Sequence, residues 1–421
     1  MTLTAWIAVV MIVIAVIGLL KKVDPRLVLL GTGLFLCVVS MKPLMALDQF
    51  AKMMTTPTLG QSILSAMGFA CLLSITTCDK HLVQLLVRPL KKLGLFLIPT
   101  CTLVTLLINT AIPSAGGCAA AVGATLIPVM IRSGISPAGA AASVLAGTIG
   151  SYLNPGSPHQ VLIGSYIGMS SMEVIIASMP TYMTLWALSI VGITVTEFVL
   201  KDHKAGAAAG AVSEAGSADS ALKVNLLWAI APLVPLVVLV LGNTCVPAIK
   251  MGIAQAMLIG VVYTMAVTRY NPSKALNEFF NGCGKGFASI LSIIIAASVF
   301  AAGLTASGLI DFLISALKGS SEFARWGGIL GPYAMAILMG SGDAATMAFN
   351  TAVTPHAPEF GMQILQLGNL AYVAGALGRT MSPVAGVVMV VSGIAAVNPV
   401  QVVKRTAPGM IVGILVLLAF F

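Results

Sequence analysis

Two charged side chains, Asp343 and Arg379, lie within strongly apolar stretches of the sequence. A charge inside a bilayer is costly to hold, so such residues are functional candidates by default. Arg379 could hold a carboxylate with two parallel N–H donors, and Asp343 could bind a cation or carry a proton. The competing interpretation is a structural ion pair between the two, or simple contact with water. His159 could donate a hydrogen bond to an anion, or could be a satisfied structural histidine.

Both charges belong to four segments, 109–117, 152–160, 340–346 and 378–383, in which Gly, Pro and small polar residues interrupt apolar runs. Gly and Pro stop helices. A half-helix that begins at such a break offers free N–H groups and partial positive charge to a carboxylate, and one that ends there offers carbonyls to a cation. We therefore predict a coupling-ion role for Asp343, Asn109 and Asn350, and substrate binding by Ser114, Gly116, Gly117, Asn154, Gly156, Ser157, His159, Ser341, Gly342, Arg379, Thr380 and Ser382.

The composition predicts an all-α membrane protein. Of 421 residues, 58% are hydrophobic and 8% are charged, and the mean hydropathy is +1.03. A soluble chain of this length would have about 25% charged residues. The apolar runs predict about ten transmembrane helices, at 4–20, 26–41, 60–78, 138–168, 174–200, 224–241, 248–268, 286–304, 366–396 and 406–421, and two re-entrant hairpins, at 95–131 and 326–356.

The positive charges follow this layout. Of the 22 Lys and Arg residues, 16 fall on one side of the predicted membrane. The exceptions are Lys42, Lys52, Lys250, Lys318 and Arg325 on the other side, and Arg379 within a predicted span. Basic loops stay in the cytoplasm. We therefore predict a multi-pass protein of a bacterial inner (plasma) membrane, with both termini on the periplasmic side. The net charge of +9 then reflects orientation and anionic headgroups of the lipid bilayer, not nucleic acid.

The two halves of the chain resemble each other. An offset of 228 residues places Gly147 and Gly150 on Gly375 and Gly378, and an offset of 227 places Ser114 on Ser341. The prediction is a first repeat at 1–200 (hairpin 95–131, broken helix 138–168), a flexible cytoplasmic linker at 201–223, and a second repeat at 224–421 (hairpin 326–356, broken helix 366–396). Five spans in each half would invert the second repeat, as in alternating-access carriers.

Other functional classes fit less well. An ion channel would need a continuous polar pathway or symmetric rings of charge, and a membrane enzyme would need a nucleophile with a base or a metal cluster, which the four scattered histidines and seven cysteines do not suggest. We therefore expect a carrier, not an enzyme, with no cofactor beyond Na⁺ or H⁺ as the coupling ion. Its partner would be a small carboxylate, and an amino acid or a cation remains the rival cargo.

Three runs carry a resemblance to a known family. LGRTMSPVAGVVMVVSGIAAVNPVQVVKRTAPG at 377–409 closely resembles the end of DcuC-type anaerobic C4-dicarboxylate carriers, and GSGDAATMAF at 340–349 and SAGGCAAAVGATLIPVMI at 114–131 are similar to their two hairpins. The resemblance implies the ion-transporter superfamily, with a scaffold that forms a homodimer, an elevator-like transport domain, and transport of succinate, fumarate or malate by cation coupling or exchange. Asp343 and the run NPGSPHQ at 154–160 depart from the family pattern, so another carboxylate or an amino acid remains an alternative substrate.

Overall fold

The computed structural model describes residues 2–21, 23–87, 96–112, 114–202, 223–244, 246–312 and 321–421. Residues 203–222, which are most of the predicted linker, and Pro113 of the first predicted tip lie outside these ranges. All regular structure within them is helical. The α-helices are Leu3–Leu20, Pro25–Val39, Pro43–Met54, Pro57–Ile75, Cys78–Val87, Leu97–Ala111, Ala115–Arg132, Pro137–Ala146, Pro158–Ile167, Ser171–Ala177, Met179–Val199, Leu226–Ile230, Val234–Thr244, Ile253–Thr268, Pro272–Gly286, Ser292–Ala306, Ser321–Met339, Gly342–Ala352, Ile364–Thr380, Gly386–Ala395 and Pro399–Phe420.

Several of these helices suit a bilayer. Ala115–Arg132, Met179–Val199, Pro272–Ala306 and Pro399–Phe420 are each long and apolar enough to cross it, and two bent helix pairs raise that number to six. Shorter apolar helices of 10–17 residues accompany them. The described residues therefore form a multi-pass α-helical protein, whereas the number of ten spans remains a prediction.

Two helical segments lie outside the predicted spans. Pro43–Met54 forms where the sequence suggested a loop, and the span predicted from residue 286 begins at Pro272. In both cases Pro occupies the first turn, where its missing N–H costs nothing, and Asn271 caps the second helix by accepting from the Lys274 N–H at 3.2 Å. Pro43–Met54 and the first turns of Pro272–Gly286 are too polar to be recognised as membrane spans. A polar face is nevertheless compatible with a helix at the membrane edge.

The four interrupted elements interleave in one bundle. The first hairpin (Leu97–Ala111 and Ala115–Arg132) shares a core with the helix Gly386–Ala395, which belongs to the second half of the chain. The second hairpin (Ser321–Met339 and Gly342–Ala352) shares a core with Ile149 and Tyr152 of the first half. Two further cores lie around Pro57–Ile75 with Ile253–Thr268 and around Pro25–Val39, and residues 347, 348 and 352 of the second hairpin belong to them.

Glycines set the closest helix crossings. A Cβ on Gly150 would lie 2.0 Å from the Leu106 carbonyl oxygen, and one on Gly378 would lie 2.4 Å from that of Tyr333. Each of these contacts joins a broken helix to the hairpin of its own half. Small residues allow such approach, and close backbone packing is a main source of cohesion between helices in lipid.

Candidate functional site

The helix interruptions meet around a cavity of about 360 Å³. One wall consists of apolar residues of Pro57–Ile75 together with residues 289–293. The other wall comes from both hairpin tips and both broken helices. The predicted site residues that line the cavity are Ser114, Gly116, Gly156, Ser157, His159, Ser341, Gly342, Asp343 and Arg379.

Both hairpin tips present a helix N-terminus to this cavity. The Ser114 hydroxyl accepts from the Gly117 N–H at 3.2 Å at the start of Ala115–Arg132. The Ser341 hydroxyl accepts from the Ala344 N–H at 3.2 Å at the start of Gly342–Ala352. Each helix N-terminus contributes roughly half a positive charge. The two tips therefore favour an anion in the cavity.

Asp343 and His159 form a hydrogen-bonded pair at the cavity wall. The Nε2 atom of His159 lies 3.1 Å from the Oδ1 atom of Asp343. The Asp343 side chain is 75% exposed, whereas that of His159 is 3% exposed. The imidazole stacks on the Tyr372 ring with centroids 4.2 Å apart, and its Nδ1 has no hydrogen-bond partner among the described residues. The histidine is thus held rigidly, and the carboxylate is open to the cavity.

Arg379 is buried, and it contacts the backbone rather than Asp343. Its Nη2 donates to the Thr148 carbonyl at 3.1 Å, and its Nε has no partner within the described ranges. A guanidinium has five N–H donors, so donors remain for a ligand carboxylate. Of the two interpretations of the charges, the geometry favours separate roles, because the partner of Asp343 is His159.

Tyr372 is a cavity residue that the sequence reasoning missed. Its hydroxyl accepts from the Ser157 hydroxyl at 3.3 Å, and its ring meets Tyr152 edge-on with centroids 5.2 Å apart. A spacing of seven residues places Tyr372 two turns before Arg379 on the same helical face. That spacing was the available signal, since Tyr372 itself lies in a continuous helix.

The remaining predicted residues lie behind the cavity surface. Asn109 accepts from the Ser151 N–H at 2.7 Å and donates to the Ile112 carbonyl at 2.9 Å. Asn154 donates to the Thr110 carbonyl at 2.5 Å and accepts from the Gly156 N–H at 2.7 Å. Both amides therefore tie the first tip to the first break.

The second half shows a similar arrangement. Asn350 donates to the Gly368 carbonyl at 3.1 Å and accepts from the Thr354 hydroxyl at 2.8 Å. The Thr380 hydroxyl donates to the Ala376 carbonyl at 2.8 Å. The buried Ser382 hydroxyl has no partner among the described residues. In the first half, Gly117 lies behind the cavity surface too, and its N–H donates to the Ser114 hydroxyl. Within all the described ranges, no group of three His, Cys, Asp or Glu side chains is placed to bind a metal ion.

Comparisons with known proteins find transporters of similar fold and sequence. The fold matches the YdaH transporter of Alcanivorax borkumensis with a TM-score of 0.59 at 13% identity, over 89% of this chain and 87% of that one. A Haemophilus influenzae protein described as an uncharacterized transporter is 48% identical over 278 residues, which are 64% of this chain and 99% of that protein. The anaerobic C4-dicarboxylate transporter DcuC of Escherichia coli O6:H1 is 28% identical over 377 residues, 86% of this chain and 79% of that protein.

The matches to the DcuC transporters show that the chain is a membrane transport protein, not an enzyme. The family described as C4-dicarboxylate anaerobic carriers, DcuC, matches residues 3–421. The chain belongs to the DcuC family, which confirms the resemblance noted in its sequence.

Proposed function

We propose that this protein is a secondary active transporter for small organic anions, with C4-dicarboxylates such as succinate, fumarate and malate as its main cargo. The observation that carries the proposal is the convergence of Arg379 and two helix N-termini on one cavity. The cavity volume of about 360 Å³ falls within the range of small-ligand pockets, about 300–1,000 Å³. The names of the relatives support the same class of cargo.

Asp343 gives the site a cation requirement. A carboxylate open to an anion-binding cavity repels the cargo unless a positive charge accompanies it. His159 could take up a proton at 3.1 Å from that carboxylate, or a Na⁺ ion could bind beside it. We therefore propose coupling to H⁺ or Na⁺, by symport or by exchange.

The repeated order of elements supports alternating access. Ser114 and Ser341 are helix caps 227 residues apart. Gly150 and Gly378, 228 residues apart, each pack on the hairpin of their own half. We propose two repeats of inverted topology, with the interrupted elements moving as an elevator against a scaffold of the other helices.

The surroundings of the carrier follow from the same proposal. The distribution of basic residues supports a location in a bacterial inner membrane with both termini periplasmic. The scaffold helices would also form a homodimer. Chemical crosslinking in membranes would test the homodimer. Labelling of the variants Thr2→Cys and Phe421→Cys would test the side of the membrane on which the termini lie.

A second class of cargo has one specific observation in its favour. The 75% exposed carboxylate of Asp343 could receive the ammonium group of an amino acid while Arg379 holds its carboxylate. A zwitterionic cargo would then need no coupling cation at this position. The two candidates differ in which compound competes for transport.

The deciding experiment is uptake of labelled succinate into proteoliposomes, with imposed Na⁺ or pH gradients and competition by mono-, di- and tricarboxylates and amino acids. We expect saturable uptake that dicarboxylates block and that one of the two gradients drives. Uptake blocked by amino acids alone would favour the second cargo. Absence of transport of every anion by protein shown to be folded would refute the proposal.

A further inference from the structure

A second cavity adjoins the site. It is a wide-open depression of about 610 Å³ rather than an enclosed space, and Ser289 and Ile293 line both cavities. Its other lining residues include Asp24, Arg26 and Lys285. A solute that enters this vestibule therefore meets a charged surface before it reaches the helix tips.

The floor of the vestibule is a π-helical turn, Phe287–Leu291, between Pro272–Gly286 and Ser292–Ala306. Such turns are rare and occur frequently at functional sites. Arg26 Nη1 donates to the Ala288 carbonyl at 3.0 Å in this turn. The contact joins the helix Pro25–Val39 to the turn that carries Ser289 into the cavity.

The charge of Arg26 is largely compensated. Its Nε donates to both carboxylate oxygens of Asp24, at 2.9 and 3.0 Å, and this pairing lowers the pKa of Asp24, so that the carboxylate stays ionised. Lys285 has no carboxylate partner among the described residues, and its Nζ lies 3.9 Å from Cys71 Sγ. Lys285 is therefore the uncompensated positive charge of the vestibule.

We propose that Lys285 captures the anionic cargo in this vestibule and guides it to the site, so that it determines the apparent affinity from this side of the membrane. The inference rests on the proposed anion transport. Lys285 stands one helical turn before Ser289, which faces both cavities. Because Asp24 and Arg26 offset each other, Lys285 leaves the described lining with one net positive charge. A net charge beside low-dielectric protein raises the local concentration of counter-charged solutes, and that effect weakens with ionic strength.

The test compares Lys285→Gln with Lys274→Gln in proteoliposomes of defined orientation. Lys274 lies on the same helix but lines neither cavity. We expect Lys285→Gln to raise the KM for succinate offered from the vestibule side by roughly three- to tenfold at low salt, with little change in the maximal rate. The increase should shrink as salt rises, should be smaller for a monocarboxylate, and should be absent in Lys285→Arg and Lys274→Gln.

The outcomes separate this inference from the proposed function. If the unmodified protein transports succinate and Lys285→Gln matches Lys274→Gln at low salt, the role of Lys285 is refuted while the carrier function stands. An equal rise of KM at all salt concentrations, or for a neutral cargo, would also refute electrostatic capture. If the unmodified protein transports no anion, the proposed function fails first.

Discussion

Replacement of Arg379 by Gln is the sharpest test of the site. The substitution removes the positive charge but keeps an amide donor in a buried position. Arg379 contacts the fold through one hydrogen bond, from Nη2 to the Thr148 carbonyl. Because the donor is charged, its loss should cost about 1.5–3 kcal/mol of stability.

The size of the effect on ligand binding follows from the chemistry of the contact. A hydrogen bond to a charged group contributes about 1.5–3 kcal/mol. With about 1.4 kcal/mol for each factor of ten, the loss of one such contact predicts a decrease in kcat/KM of roughly 10- to 150-fold. A bidentate grip would lose more. Arg379→Lys keeps the positive charge but lacks the planar fork of donors. Its kcat/KM should therefore lie between those of the unmodified protein and Arg379→Gln.

The assay is succinate uptake into proteoliposomes at equal amounts of reconstituted protein. Thermal unfolding in detergent provides the control, and the Arg379→Gln variant should melt within a few degrees of the unmodified protein. Normal uptake kinetics in a folded Arg379→Gln variant would remove Arg379 from the site. It would leave the helix N-termini as the sole anion-binding elements of this cavity among those described.

Three further predictions address coupling and stability. Asp343→Asn should change the dependence of uptake on Na⁺ and pH gradients more than the KM for cargo, and unchanged gradient dependence would contradict the coupling role. Gly150→Ala places a Cβ 2.0 Å from a carbonyl oxygen and should destabilise the fold by about 1–3 kcal/mol, whereas Gly393→Ala, with no atom within 4 Å, should leave the melting temperature nearly unchanged. Arg405→Ala removes the guanidinium from Asp202, which is 4% exposed, and should cost about 3–5 kcal/mol in denaturation experiments; equal stability would show that the pair is not coupled.

The sequence located the interruptions because Gly and Pro carry local information. Residues 154–158 and 340–342 combine Gly or Pro with small polar residues, so the positions of Ser157, Ser341 and Asp343 could be inferred. A lone proline is a weaker signal, since Pro128, Pro332 and Pro408 lie inside continuous helices. The helix Pro43–Met54 was missed, because an amphipathic helix at a membrane edge lacks the continuous apolar run that marks a span.

Side-chain roles were harder to predict than positions. Asn109 and Asn350 donate to backbone carbonyls near the hairpins, a contact that the sequence did not predict, and their role as ion ligands stays a prediction. Buried amides satisfy whatever backbone groups the tertiary fold brings near. The position of Tyr372 against His159 likewise depends on the crossing of two helices from different halves, which no local pattern encodes.

The charges of the described site indicate how a dianion could be carried. Arg379 and Asp343 together contribute no net charge, and a dicarboxylate adds −2. The two helix N-termini contribute about +1 together, which leaves the loaded site near −1. One proton on His159, 3.1 Å from Asp343, would bring the site to approximate neutrality. Because moving net charge through a bilayer is costly, we infer that the histidine–carboxylate pair matters most when the cargo is a dianion. Asp343→Asn should therefore relax the coupling requirement instead of abolishing binding.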